Sequence, residues 1–402
     1  MGKNYNLKSY MILLFLIYLL LALTNEYLNI QEGFLIGFTD SVSYLKIIEA
    51  APNFHNDPIA PQQGYRFIIP YFIGTLLYLT NIDDYILLMF LMIILQLWII
   101  YFFNQITLYI GSKKNFSLIM TSALIFNAYN FRPGLINPYM INDWVFMFGL
   151  LLIAAYVLMN KKNYFYIGLI LCSIARQTSL LLNILFLLVI IYNFIFKKKI
   201  KTNIYLYGIL INIFIFAFLS FASSNLHTNF SLNMYIKAFS EIFTVDFTLL
   251  EIITFILRFI NTHFFIIILL IFSIINIGIY KKLINFKTLS VGILGLIIWI
   301  QPILGGPSFT GGNIERLTII SMPIILIFFL QIFKDLEINL KYTILIILLL
   351  FISSMHHNYT FFLNYFFDYK NFHFALINFT SHIIISIIFY KNIYKSNPNN
   401  LN

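Results

Sequence analysis

A single cysteine in 402 residues, Cys172, excludes a disulfide framework and any cysteine-based metal centre. Charge is scarce too: only 10% of the chain, with 15 carboxylates against 25 lysines and arginines. No polar stretch long enough for a separate soluble domain interrupts the chain from Met11 onward, so one membrane domain is expected over residues 1–402. What is there instead is apolar. Hydrophobic residues make up 60% of the chain and mean hydropathy is +0.87, more apolar surface than a water-soluble fold can hide. The predicted fold class is therefore all-α: a polytopic bundle of about twelve transmembrane helices, since helices satisfy their own backbone in lipid.

Lysine marks one face. Short basic clusters near helix ends identify cytoplasmic loops, and they occur at Lys3/Lys8, Lys113/Lys114, Lys161/Lys162, Lys197 to Lys201, Lys281/Lys282/Lys287, Lys334/Lys341 and Lys391/Lys395. Holding all of these inside places spans near 10–24, 84–110, 115–130, 143–160, 163–175, 179–196, 203–223, 264–280, 288–303, 317–333, 341–355 and 374–390. Both termini are then cytoplasmic, and the expected location is the cell (inner) membrane. The first run, Met11 to Leu23, resembles a signal peptide, but Thr24-Asn25-Glu26-Tyr27 offers no small-residue cleavage site, so an uncleaved first span is expected. The stretch from Phe67 to Thr80 is short for a crossing, and spanning would put Lys113/Lys114 outside. It reads as an interfacial helix within a long external segment, 25–83. A second external amphipathic segment is expected over 224–263.

With that topology the remaining charges segregate. Of 20 lysines, 17 are inside, whereas all five arginines (Arg66, Arg132, Arg176, Arg258, Arg316) and 13 of the 15 carboxylates lie outside or at outer helix ends. External carboxylates need no explanation beyond solvation. External arginine runs against the positive-inside bias, and its planar fork of donors suits a phosphate group, so an anionic phosphate partner is implied. For Arg258, on its amphipathic stretch, anchoring at headgroups is the preferred reading.

Four clusters stand out. In Gly37-Phe38-Thr39-Asp40-Ser41-Val42-Ser43-Tyr44, Asp40 suits a helix N-terminus and equally a general base accepting a proton from an attacking hydroxyl. Asn130 to Pro138, with Arg132, precedes Asn142-Asp143, which suits a cap for the next span and has a second role open to it in binding sugar hydroxyls or a cation. Arg176-Gln177-Thr178 interrupts an apolar stretch, where an arginine is expensive unless paired. Glu315-Arg316 follows the glycine-rich Gly305 to Asn313, suited to close ligand approach or to a plain linker. His356-His357 suits a hydrogen bond to phosphate better than a metal.

The layout resembles the GT-C superfamily of multi-spanning glycosyltransferases of the bacterial type, which use a polyprenyl-phosphate-linked sugar as donor. The resemblance rests on Asp40 in a long first external loop with interfacial helices, on Asp143 at the start of a later span, and on Arg176-Gln177-Thr178, similar to an Arg-Glu-Thr found in many bacterial members. Two departures are plain: Gln177 replaces the family Glu, and the first loop has no Asp-x-Asp. The resemblance implies transfer of the sugar with inversion on the extracytoplasmic face, with Asp40 as general base and Arg66, Arg176 and Arg316 holding the departing phosphate. Arg132 and Gln177 join the substrate-binding set, and Tyr44 and Asp143 position acceptor or sugar. No cofactor or metal ligand is assigned, a divalent cation being left open. Partners are the lipid-linked donor, a lipid, glycan or protein acceptor, and membrane lipids, with no nucleic acid. The alternatives are a surface-polysaccharide polymerase or ligase, whose large late external loop is missing, and a lipid-linked sugar flippase or transporter, whose internal repeats are missing.

Overall fold

The computed structural model describes residues 7–24, 39–55, 59, 61–127, 129–196, 202–224, 248–275, 285–310, 314–354 and 369–395. Every regular element among the described residues is helical. In chain order they are α1 (Leu7–Leu23), α2 (Thr39–Ala50), α3 (Pro61–Tyr65), α4 (Ile68–Thr80), α5 (Asp84–Ile110), α6 (Lys114–Ile125), α7 (Phe131–Ile136), α8 (Ile141–Met159), α9 (Lys162–Ala175), α10 (Leu182–Phe196), α11 (Thr202–Ser224), α12 (Leu249–Ile275), α13 (Phe286–Thr310), α14 (Ile314–Ile319), α15 (Met322–Ile332), α16 (Leu340–Ser353) and α17 (Tyr369–Lys395). Short 3-10 turns, Pro138–Met140 and Gln177–Leu181, lead into α8 and α10.

Seven helical segments among the described residues are long and apolar enough to cross a membrane: Asp84–Ile110, Pro138–Met159, Gln177–Phe196, Thr202–Ser223, Leu249–Ile275, Phe286–Ile303 and Leu376–Ile393. The protein is a helical, membrane-embedded bundle. The other five expected spans are helices of 11–17 residues, two of which are cut short by polar or proline-containing breaks. The stretch 115–130 stops at Phe126, and 317–333 is broken at Ser321 ahead of Pro323. α4, with 13 residues, rises only about 20 Å, well short of a bilayer core of about 30 Å. The second external segment differs from expectation over its described part. Residues 249–263 are not a separate element but the first half of α12, which continues to Ile275 through a kink at His263. Residues 225–247, 276–284 and the His356-His357 pair lie outside the described residues.

Helix α8 is the hub. Nearly nine-tenths (89%) of its span is buried, against 28–39% for the other six candidates. Its 19 residues rise about 28 Å, so its two ends lie at opposite faces of the bundle. At the far end, Lys287 Nζ donates to Leu158 O at 2.8 Å. Lys113 N donates to Lys334 O at 3.0 Å and Lys113 also pairs with Glu337 at 2.5 Å, so lysine-marked turns from distant parts of the sequence meet. Midway along its length, α8 packs on α9 backbone to backbone at a pair of glycines. A Cβ on Gly149 would stand 2.7 Å from Gly168 O, and one on Gly168 would stand 2.6 Å from Gly149 O. Small residues facing each other let two membrane helices touch through their backbones. This contact sets the start of α8 beside the end of α9.

Candidate functional site

Those two helix ends carry Asp143 and Arg176, and their side chains meet. Arg176 Nη1 donates to Asp143 Oδ1 at 2.6 Å, with both residues buried. The second carboxylate oxygen of Asp143 accepts from Arg316 Nε at 2.7 Å. Arg316 turns its Nη2 to Asp40 Oδ2 at 2.6 Å, and Asp40 also accepts a short hydrogen bond from Gln63. Arg66, buried like Asp143, donates from Nε to Gln177 Oε1 at 3.0 Å and from Nη1 to the Tyr44 hydroxyl at 3.2 Å. Seven of the eight residues singled out in the sequence therefore share one cluster: Asp40, Tyr44, Arg66, Asp143, Arg176, Gln177 and Arg316.

The eighth, Arg132, does not. It is fully buried elsewhere, donating to Leu21 O, to the carbonyl and hydroxyl of Thr24 and to the Ser354 hydroxyl at 3.1–3.3 Å. Its donors satisfy the open C-terminal carbonyls of α1, an alternative to anion binding that a loop position in the sequence does not reveal. Arg258 also departs from its expected headgroup role. It forms a two-bond ion pair with Glu315, its Nη2 lying 2.7 Å from Oε2. Asp143 occupies the first turn of α8 but caps nothing, because its carboxylate is committed to the two arginines. The glycine-rich stretch before Glu315 is helical as far as Thr310, the end of α13.

The charges do not balance. Three guanidinium groups face two carboxylates, and among the described residues Arg66 forms no ion pair; its two side-chain partners are neutral. Asp143 and Asp40 act on Arg66 through space, but both are already paired with the other two arginines, so one positive charge is left over for an anion. Several buried polar atoms around the cluster have no hydrogen-bond partner: Arg176 Nε, Gln63 Oε1, Asn137 Oδ1 and Asn142 Oδ1. Gln63, Asn137 and Asn142 belong there because their amide nitrogens donate to Asp40, to Ser41 at 2.8 Å and to Arg66 O at 3.5 Å. Gln63 had no motif to announce it; Asn137 lay within the Asn130 to Pro138 cluster without a role, and Asn142 stood beside Asp143 as a helix-start residue only.

Access is from one edge. Side chains of Asp40 and Arg316 keep 22% and 20% of their surface exposed, against 3% for Asp143. Burial works against the Asp40 charge, but Arg316 and then Arg66 outweigh it and hold the carboxyl below its usual range. Among the described residues no three histidine, cysteine or carboxylate side chains gather in a way that could hold a metal ion. Arg316 itself is fixed from behind, since its short helix α14 is tied to α12 by Glu315 with Arg258 and by Thr318 Oγ1, 2.7 Å from His263 Nε2. Comparison with protein families, curated proteins and solved structures found no match for this chain.

Proposed function

We propose that the chain is a membrane glycosyltransferase of the GT-C type, moving a sugar from a polyprenyl-phosphate donor to an acceptor on the extracytoplasmic face with inversion at the anomeric carbon. In this reading the chain crosses the inner membrane about twelve times with both termini in the cytoplasm. The observation that carries it is the gathering of Asp40, Asp143, Arg66, Arg176 and Arg316 at the end of the bundle opposite the joined lysine turns. The unmatched positive charge suits one phosphate group, and the unpartnered amide oxygens of Gln63, Asn137 and Asn142 suit the hydroxyls of a sugar.

The chemistry follows from the donor. An acceptor hydroxyl forms the new bond to the anomeric carbon as the bond from that carbon to the phosphate oxygen breaks. The hydroxyl proton goes to the Asp40 carboxylate, and the electron pair leaves on the lipid phosphate, which Arg66, Arg176 and Arg316 stabilise. A phosphate arriving at Arg316 competes with Asp40 for that guanidinium, so the carboxylate gains basicity when the donor is bound. Gln177 fits this scheme. A glutamate there would neutralise Arg66, whereas the amide orients it and leaves its charge for the donor.

The test is transfer by membranes containing the chain, supplied with a panel of radiolabelled polyprenyl-phosphate sugars. Asp40→Asn is expected to cut transfer by roughly 10²–10⁴-fold, the usual worth of a general base, with the amount of protein in the membrane unchanged. Transfer at the unmodified rate would remove Asp40 from this role.

A further inference from the structure

The far half of the bundle holds a groove of about 750 Å³ between α1, α5 and the α8/α9 turn. That volume lies within the range of small-molecule sites. It is distinct from the arginine cluster. α5 starts near the cluster, where Asp84 accepts from the Tyr139 hydroxyl at 2.8 Å, and the groove runs along its second half.

Its lining is ordered along its length. Ile94, Leu97 and Trp98 line one end, and Gln105, Lys161 and Tyr164 line the other. From Ile94 to Gln105 is 11 residues of α5, a rise of about 16 Å, close to half of a bilayer core of about 30 Å. The outer wall is open to the surroundings of the bundle, with Trp98 49% and Phe15 50% exposed. The polar end carries an exposed cation, Lys161, whose Nζ sits 5.4 Å from the Tyr164 ring centre, and Lys162 follows on the same turn. An apolar trough one leaflet long, with an ammonium group and an amide at its polar end, complements a single acyl chain attached to an anionic headgroup.

We infer that this groove is a binding site for an anionic phospholipid of the leaflet on the lysine-bearing face, its acyl chain between α1 and α5 and its phosphate at Lys161. The site is independent of the transferase reading and stands or falls apart from it. Its test is native mass spectrometry of the full chain released from nanodiscs containing equal amounts of phosphatidylglycerol and phosphatidylcholine. The chain is expected to retain phosphatidylglycerol in preference, and Lys161→Gln to weaken that preference about fivefold, the worth of one lysine beside an anionic headgroup. Leu97→Trp, which narrows the trough and leaves the charge, is expected to reduce retention of both lipids. Equal retention of the two lipids by the unmodified chain, or a preference untouched by Lys161→Gln, would overturn the assignment. So would a lipid-free dimer, which would show that a second copy covers the groove.

Discussion

Replacing Asp143 by Asn tests the charge arrangement most directly. The carboxylate accepts from Arg176 and Arg316 through separate oxygens at 2.6 and 2.7 Å, and the residue is only 2% exposed. Asn preserves the shape but removes the charge and turns an NH₂ group toward a guanidinium that also donates. Two buried guanidinium groups and the partly exposed Arg316 would then face Asp40 alone. Breaking a buried ion pair from one side costs about 3–5 kcal/mol. With an unfolding entropy of about 2.1 cal/mol/K per residue, the 402 residues give about 0.8 kcal/mol/K, so Tm should fall by about 4–6 °C. Thermal unfolding in detergent, followed by tryptophan fluorescence, reads this. Adding Gln177→Glu to the Asp143→Asn variant restores one negative charge at Arg66 Nε, 3.0 Å from the present amide oxygen, and should recover part of the loss. Inorganic phosphate should raise the Tm of Asp143→Asn more than that of the parent, because the variant has two unmatched cations instead of one. A Tm within 1 °C of the parent, or a second substitution that adds further loss, would refute the reasoning.

Two other outcomes follow from the same geometry. Asp40 is held below its usual range by Arg316 and Arg66, so its contribution to stability is present above its unfolded value of 3.8 and is lost as pH falls through the lower folded value. The Tm gap between parent and Asp40→Asn should therefore hold steady from pH 7 to about 5 and close on further acidification; a gap that widens toward acid would contradict the pairing. Gly168→Val would push its side chain into Gly149 O and Leu152, separating α8 from α9. Tm should fall, and with it any transfer of the kind proposed above, and a variant stable within 1 °C of the parent would show that the backbones need not touch.

The sequence made the bundle legible because bilayer length and lysine bias are coarse, additive signals. It pointed to the cluster for a different reason: external arginine runs against the positive-inside bias, so each of the five called for a partner. Partner choice was not legible. Arg132 and Arg66 look alike as loop arginines, yet one satisfies the carbonyl end of α1 and the other faces Gln177. Arg258 on an amphipathic stretch suggested a headgroup anchor, and only the approach of α14 to α12 reveals Glu315 as its partner. The kink at His263 falls where the polar Asn261-Thr262 had suggested the boundary between the external segment and the next span; what was not legible is that the helix continues through it. Gln63 was invisible, and Asn137 stood in a singled-out cluster without a role, because an amide in a loop is ordinary until its neighbours are known.

Arg132 also constrains how the protein is made. One of its partners, Thr24, is in place before the arginine is synthesised, but another, Ser354, lies 222 residues downstream. The bonds to Leu21 and Thr24 can form as soon as Arg132 is made, whereas the bond to Ser354 must wait until most of the remaining helices have inserted. The link from α1 through Arg132 to the end of α16 therefore closes only when the chain is nearly complete. Reporter fusions or truncations ending before Ser354 would sample a bundle whose opening helix lacks this clasp, and topology mapped from such pieces would describe an assembly intermediate instead of the finished protein.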